Sequence, residues 1–343
     1  MDEGTNKKIT IEMEESIMKQ MKKLFMALLL VVSMLVLLAG CSGQTKESTE
    51  PEQTNNEEGA AMKEETIPED GHFHGEYMVT GEYAKEHIGD EDVLFVDARG
   101  WQKAVLGTLK GAIATTWQDL CTCQEGKQGD ENWGKIPEPD DLERRLGELG
   151  ITKDKEIILF GDTLDGWGDD ARIAWELLAA GYEDVKLIDG GYAAAKDAGA
   201  ETQFFASNAI PGEVSIDSID ETHVMTTEEL QENYDEYTIV DVRTDEEYDG
   251  AILYDEAQGG HLPGAIHVRY TDLFQEDGTL KPNDELTEMF EAAGVEPEDK
   301  VVTYCTGGIR SAYTQMILEM CGYENTWNYD QSFWRWAVVG EVE

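Results

Sequence analysis

Cysteine is scarce. Cys41, Cys121, Cys123, Cys305 and Cys321 are the five in 343 residues, too few to staple a disulfide-built fold. Cysteines this sparse are candidates for chemistry rather than architecture. Positive charge is also in short supply, with 26 basic against 73 acidic residues and a formal net charge of −47. That balance argues against DNA, RNA or anionic lipid as partners and suits a solvated, soluble surface. Long apolar runs are missing apart from residues 24–39, and that run falls short of the about 20 residues a membrane-spanning helix needs. What is present is 41% hydrophobic residues, enough for a packed core, in a length that suits about two domains.

Lys19, Lys22 and Lys23 precede the apolar run, which ends in Leu38-Ala39-Gly40-Cys41. A basic stretch, an apolar stretch and small residues before a cut make a secretory signal. The ending resembles the bacterial lipobox. The resemblance implies that residues 1–41 are a signal, that Cys41 is acylated, and that the lipid holds the chain on the extracytoplasmic face of the cell membrane. Residues ahead of Met18 or Met21 fit no part of a signal, so one of those methionines is the expected start. Residues 42–76 are rich in Glu, Thr, Ser, Gln and Asn. Such a segment buries too little surface to fold and reads as a disordered acidic tether. His72 and His74 at its end read as solvated rather than metal-binding.

The remainder repeats itself. Phe95-Val96-Asp97-Ala98-Arg99 matches Ile239-Val240-Asp241-Val242-Arg243. Gly107-Thr108-Leu109-Lys110-Gly111-Ala112-Ile113 matches Gly260-His261-Leu262-Pro263-Gly264-Ala265-Ile266. Ile157–Phe160 matches Val301–Tyr304, and Gly181-Tyr182-Glu183 matches Gly322-Tyr323-Glu324. One fold is therefore used twice, over residues 77–210 and 220–343. Short β-branched runs at 93–96, 157–160, 185–188, 239–240 and 301–304 predict buried strands. Between them, Leu142, Leu146 and Leu149 share one helical face. Leu286, Met289, Phe290 and Ala293 share a second, and Ala312, Met316, Ile317 and Met320 a third. Alternating strands and helices predict an α/β fold in each half, a central parallel sheet with helices on both faces. Function in such sheets gathers at the carboxyl ends of strands.

Cys305-Thr306-Gly307-Gly308-Ile309-Arg310-Ser311 follows the predicted strand 301–304 and opens the next helix. N–H groups at a helix start are unpaired and favour an anion. Gly307 and Gly308 let the backbone curl into a nest of such donors. A thiol in that cradle loses its proton more easily, and Arg310 adds a positive charge. The thiolate would be a good nucleophile, and a persulfide on it would be held too.

With Asp241-Val242-Arg243 and Gly260-His261-Leu262-Pro263-Gly264-Ala265 ahead of it, in this order and spacing, the loop resembles that of the rhodanese family of sulfurtransferases, tandem-domain type. The resemblance spans residues 77–343. It implies a double displacement. A sulfur-containing donor such as thiosulfate or polysulfide loads Cys305, and cyanide or a thiol removes the sulfur, with no cofactor or metal. By resemblance Cys305 is the nucleophile and Thr306, Gly307, Gly308, Ile309 and Arg310 form the cradle. Asp241, Arg243 and His261 read as supporting residues of turns and loops. The loop departs from two subfamilies. Thiosulfate-specialised members place basic side chains where Thr306 and Gly307 stand, and mercaptopyruvate-type members end the loop in a small hydroxyl residue, not Arg310.

In the first half the equivalent stretch, residues 161–172, has no cysteine and carries Asp162, Asp165, Asp169 and Asp170. Carboxylates in an anion nest oppose a bound anion, so this half reads as catalytically silent. Cys121-Thr122-Cys123 leaves three readings open: resolving a persulfide, binding a soft metal, or no role. Cys321 reads as a small buried apolar residue, and Trp327, Trp334 and Trp336 as core or pocket-rim residues. Two other functions compete. One is a non-enzymatic binding lipoprotein on the same scaffold, against which the intact loop argues. The other is a cysteine-dependent phosphatase or arsenate reductase, whose loops hold one residue more between Cys and Arg.

Overall fold

The computed structural model describes residues 70–124 and 126–343. Cys41, its lipobox and residues 42–69 lie outside them. The tether stops short of residue 76. Phe73 is buried, and the His74 backbone exchanges hydrogen bonds of 2.9 and 2.8 Å with the Asn283 side chain. One aromatic ring and one paired amide dock residues 70–76 onto the second half, a local signal lost in the average polarity of the segment.

The strands are β1 (Met78–Val79), β2 (Val93–Asp97), β3 (Thr108–Leu109), β4 (Ile113–Ala114), β5 (Glu156–Phe160), β6 (Val185–Ile188), β7 (Thr202–Gln203), β8 (Val224–Met225), β9 (Thr238–Asp241), β10 (Ile266–His267), β11 (Val301–Tyr304) and β12 (Thr326–Tyr329). They build two five-stranded sheets, β1-β6-β5-β2-β4 and β10-β9-β11-β12-β8. Both are parallel throughout, while β3 and β7 pair antiparallel. Reversing one order maps it onto the other, so the repeated motifs occupy equivalent strands. The helices preceding the two central strands are equivalent as well. Pro139–Leu149 and Asn283–Ala293 each end at a left-handed glycine, Gly150 at φ 67° and Gly294 at φ 94°, where a side chain would be strained.

The two halves share a core. One cluster of buried residues contains Ile157 and Leu159 of the first sheet together with Val240 and Val301 of the second. The helix Ile309–Met320 explains the continuity. It packs on its own sheet and against the helix Asp169–Ala179 of the first half, so every residue from Ile309 to Leu318 is buried. A helix covered all round finds partners for most of its polar side-chain atoms internally, although Gln315 Oε1 has none. Thr314 Oγ1 donates to the Arg310 carbonyl at 3.0 Å, and Gln315 Nε2 donates to Thr326 Oγ1 at 2.9 Å.

Candidate active site

Cys305 leaves the carboxyl end of β11 where the chain turns into the helix Ile309–Met320. Its N–H donates to Ser332 Oγ at 3.1 Å, and its carbonyl accepts from the Phe333 N–H at 3.1 Å. Held this way, its sulfur accepts from the Gly308 N–H at 3.2 Å and lies 3.7 Å from Ser311 Oγ. Burial pushes the thiol up, but the Arg310 charge and the donors of Ser311 and Gly307 outweigh it. The net result is a thiol held below its ordinary range.

The two glycines serve different ends. Gly308 sits at φ 83°, and a Cβ there would run into the Asp330 carbonyl. At Gly307 the obstacle is a ring, since a Cβ would run into the Trp334 indole. Ser332, which anchors the Cys305 N–H, is itself left-handed at φ 50°, a conformation that costs a non-glycine residue about 1–3 kcal/mol.

The Arg310 charge is paired. Nη1 donates to Glu247 Oε2 and Nη2 to Oε1, both at 2.8 Å. Nη2 also donates to Thr306 Oγ1 at 2.9 Å, and that hydroxyl donates to Glu247 at 2.5 Å. The guanidinium is bonded to a carboxylate and a hydroxyl, and its charge still acts on the Cys305 sulfur. Burial pushes Glu247 up, but the fork from Arg310 and the Thr306 and Thr244 donors bring it down to about 2. Glu247 belongs to the short helix Asp245–Tyr248, seated by a capping box with Thr244. That Thr-x-x-Glu spacing was the sequence signal for Glu247, and it announced a helix start rather than a site.

Asp241, Arg243 and His261 support the loops. The buried Arg243 pairs with Asp241 at 2.6 Å and donates to the Gly260 carbonyl at 2.8 Å. Arg99 repeats the device, with Asp97 at 2.7 Å and the Gly107 carbonyl at 2.8 Å. His261 stacks on Tyr248 at 3.8 Å. All three stand outside the wall of the cavity that opens over Cys305, a space of ≈380 Å³. The second half lines it with Cys305, Thr306, Gly307, Ile309, Arg310, Trp334, Leu253, Tyr254 and Asp255. The first half supplies Trp117, Gln118, Gln128, Trp133 and Trp167. It also braces the loop, because the buried Arg172 donates to the Gly308 carbonyl at 3.3 Å. Gln331 answers from the other side, donating to the carbonyls of Glu131 at 2.8 Å and Trp133 at 3.1 Å.

The other cysteines are placed differently. Cys121 and Cys123 form a disulfide just beyond the helix Trp117–Leu120. The Trp133 indole donates to the Cys123 carbonyl at 3.0 Å. Burial pushes the Cys321 thiol up to about 12.

In the first half the anion cradle is filled from within. The buried Asp170 carboxyl accepts from the Ala171 N–H at 3.0 Å and from the Gly161 backbone. Burial, with Asp169 adding to it, pushes Asp170 up to about 7. A carboxyl raised this far favours the fold below its unfolded pKa, and that contribution is lost as pH rises through about 7. Asp170→Asn should therefore raise the melting midpoint at pH 8, raise it less at pH 5 and change it little at pH 3. A scanning-fluorimetry series from pH 3 to pH 8 checks it. A gain confined to the acid side would contradict the burial argument.

Comparison with known proteins follows the same lines. The model of the Rhodanese-like domain matches residues 80–198 and again 226–338. A Haloferax volcanii protein provisionally named as a thiosulfate sulfurtransferase is 30% identical over 246 residues, covering 67% of this chain and 80% of its own. The thiosulfate sulfurtransferase of Corynebacterium glutamicum is 26% identical, covering 77% of this chain and 88% of its own. The sulfur carrier protein TtuD of Thermus thermophilus is 25% identical, covering 79% and 97%. Among solved structures, YnjE superposes with a TM-score of 0.60 at 24% identity, over 74% of this chain and 62% of that one. Two matched halves, one duplicated sheet order and relatives aligned across both halves lead to one statement: this chain belongs to the rhodanese-like family, in its tandem form.

Proposed function

We propose that the protein is a sulfurtransferase that carries sulfane sulfur as a persulfide on Cys305. The observation that carries this reading is the sulfur of Cys305 under the Gly308 N–H at 3.2 Å, facing a cavity. The Cys305 thiolate attacks the terminal sulfur of a polysulfide or the outer sulfur of thiosulfate. The S–S bond of the donor breaks, and the shortened polysulfide or sulfite leaves with the electron pair. Cyanide or a thiolate then attacks the outer sulfur of the persulfide. Thiocyanate or a new persulfide departs, and the Cys305 thiolate returns with the electrons of the broken bond. Neither step needs a general base once the thiolate exists, which suits a site where Arg310 and backbone donors, rather than histidine, surround the sulfur. The test is intact-mass analysis after incubation with thiosulfate, polysulfide and mercaptopyruvate in turn, followed by cyanide. Gain of one sulfur atom on Cys305 and its loss as thiocyanate are expected. No gain from any donor would remove the reading.

The same proposal places the enzyme outside the membrane on a lipid at Cys41. Cys41→Ala should release it from membranes or stall its processing. Unchanged retention at unchanged size would favour an uncleaved peptide anchor.

A further inference from the structure

The cavity over Cys305 offers a ligand little free positive charge. Arg310 is the one cationic side chain among the described residues that line it, and its guanidinium is already forked onto Glu247. Asp255 adds a carboxylate to the wall, and a loaded persulfide would add a further negative charge. With a persulfide loaded the wall is thus net negative at its working end, on a chain whose formal charge is −47, and both features favour a cation over a neutral group of the same shape.

Beside Gln118, Gln128, Leu253 and Ile309, the remaining surface carries five aromatic rings. Trp117, Trp133 and Trp167 come from the first half, and Tyr254 and Trp334 from the second. They contact edge to face, Trp133 with Trp334 at 5.0 Å, Trp167 with Tyr254 at 5.4 Å and Trp117 with Trp133 at 6.1 Å. The Trp334 indole N–H is tied to the Tyr254 carbonyl at 2.8 Å, as Trp133 is tied to Cys123, so these rings are fixed before any ligand arrives. The buried Trp117 N–H has no hydrogen-bond partner. Rings that line a desolvated cavity attract organic cations through their quadrupoles. The volume, ≈380 Å³, falls in the range of about 300–1,000 Å³ typical of sites for organic ligands.

Resting on the persulfide reading of Cys305, we infer that this cavity receives a positively charged organic sulfur acceptor, its cation held by the aromatic wall and Asp255. The silent half thereby acts as a specificity element, since three of the five rings belong to it. Asp255 stands at φ 60°, a left-handed position that Asn tolerates as Asp does. Asp255→Asn therefore removes the charge without moving the loop.

The test uses three inert probes of similar size: choline, its uncharged carbon isostere 3,3-dimethylbutanol, and propanesulfonate. Each is measured as a competitor of sulfur transfer from polysulfide to cyanide by the full chain. Each is also measured by tryptophan fluorescence on the Cys305→Ser protein, where no transfer occurs. Choline should bind between about two- and thirty-fold tighter than the isostere, the range expected for a cation over aromatic rings, and propanesulfonate weakest. Asp255→Asn should erode the preference for choline while leaving the isostere unchanged, and Trp167→Leu should weaken both. Equal binding of choline and isostere, or tighter binding of propanesulfonate, overturns the inference whatever sulfur loading shows. Should the preference hold while Cys305 takes no sulfur, the persulfide reading fails and the cation site stands.

Discussion

Cys305→Ser should take up no sulfur from any donor and should lose transfer to cyanide by about a thousand-fold or more, the scale at which nucleophile deletions act. The comparison is clean because of where the other thiols are. Among the described residues Cys121 and Cys123 are bonded to each other, and Cys321 is the second free cysteine. Burial holds Cys321 up to about 12, so at neutral pH almost none of it is thiolate. Serine keeps the size of the side chain and the Gly308 N–H donor satisfied, so the fold should persist. Intact mass and thiocyanate release on the same sample give the answer, with melting as the control. A stoichiometric sulfur on the Cys305→Ser protein would move the site elsewhere.

Arg310→Ala should be the most damaging change to the cradle itself. Removing one partner of a buried ion pair leaves the other charge uncompensated, at a cost of about 3–5 kcal/mol. Here the stranded group is Glu247, which in the intact fold lies depressed to about 2. A depressed carboxylate contributes stability above its unfolded pKa, and that share is lost as pH falls from about 4.5 towards 2. Arg310→Ala should abolish this acid dependence along with the stability. Turnover should fall about ten- to a hundred-fold from loss of the charge beside the sulfur. Arg310→Lys should recover only part of both, because a point charge cannot reproduce the fork onto two oxygens. The double variant Glu247→Gln with Arg310→Met separates the roles: stability should return without turnover. Urea unfolding at pH 7 and at pH 4, beside cyanide-dependent transfer, makes the measurement. Full transfer in the double variant would show that Arg310 only holds the loop.

Much of this arrangement was legible in the chain because it is local. The run from Cys305 to Ser311 lies at a strand-to-helix turn, and apolar runs bounded by turn residues marked the strands. The paired motifs at Asp97 and Asp241 marked the duplication. What escaped was everything brought to the loop from a distance. Glu247 announces itself only as a helix cap, and Ser332, which fixes the Cys305 backbone, stands in an aromatic stretch that reads as core. Trp117, Trp133 and Trp167 belong to a half with no thiol, and no periodicity aims them at Cys305. Gly307 was legible as a glycine but not for its reason, since the obstacle is the Trp334 ring. Residues 70–76 were lost in a polar segment that docks through one phenylalanine.

The helix Ile309–Met320 is roofed on its outer side by the helix Asp169–Ala179, and Arg172 reaches from that roof to the Gly308 carbonyl. The half that bears Cys305 is therefore not a portable module. Cut free, it would present a naked helix flank to water, lose a brace on its reactive loop and open its substrate chamber on one side. Removing the half whose loop lacks a thiol would therefore strip the other half of its packing and its brace.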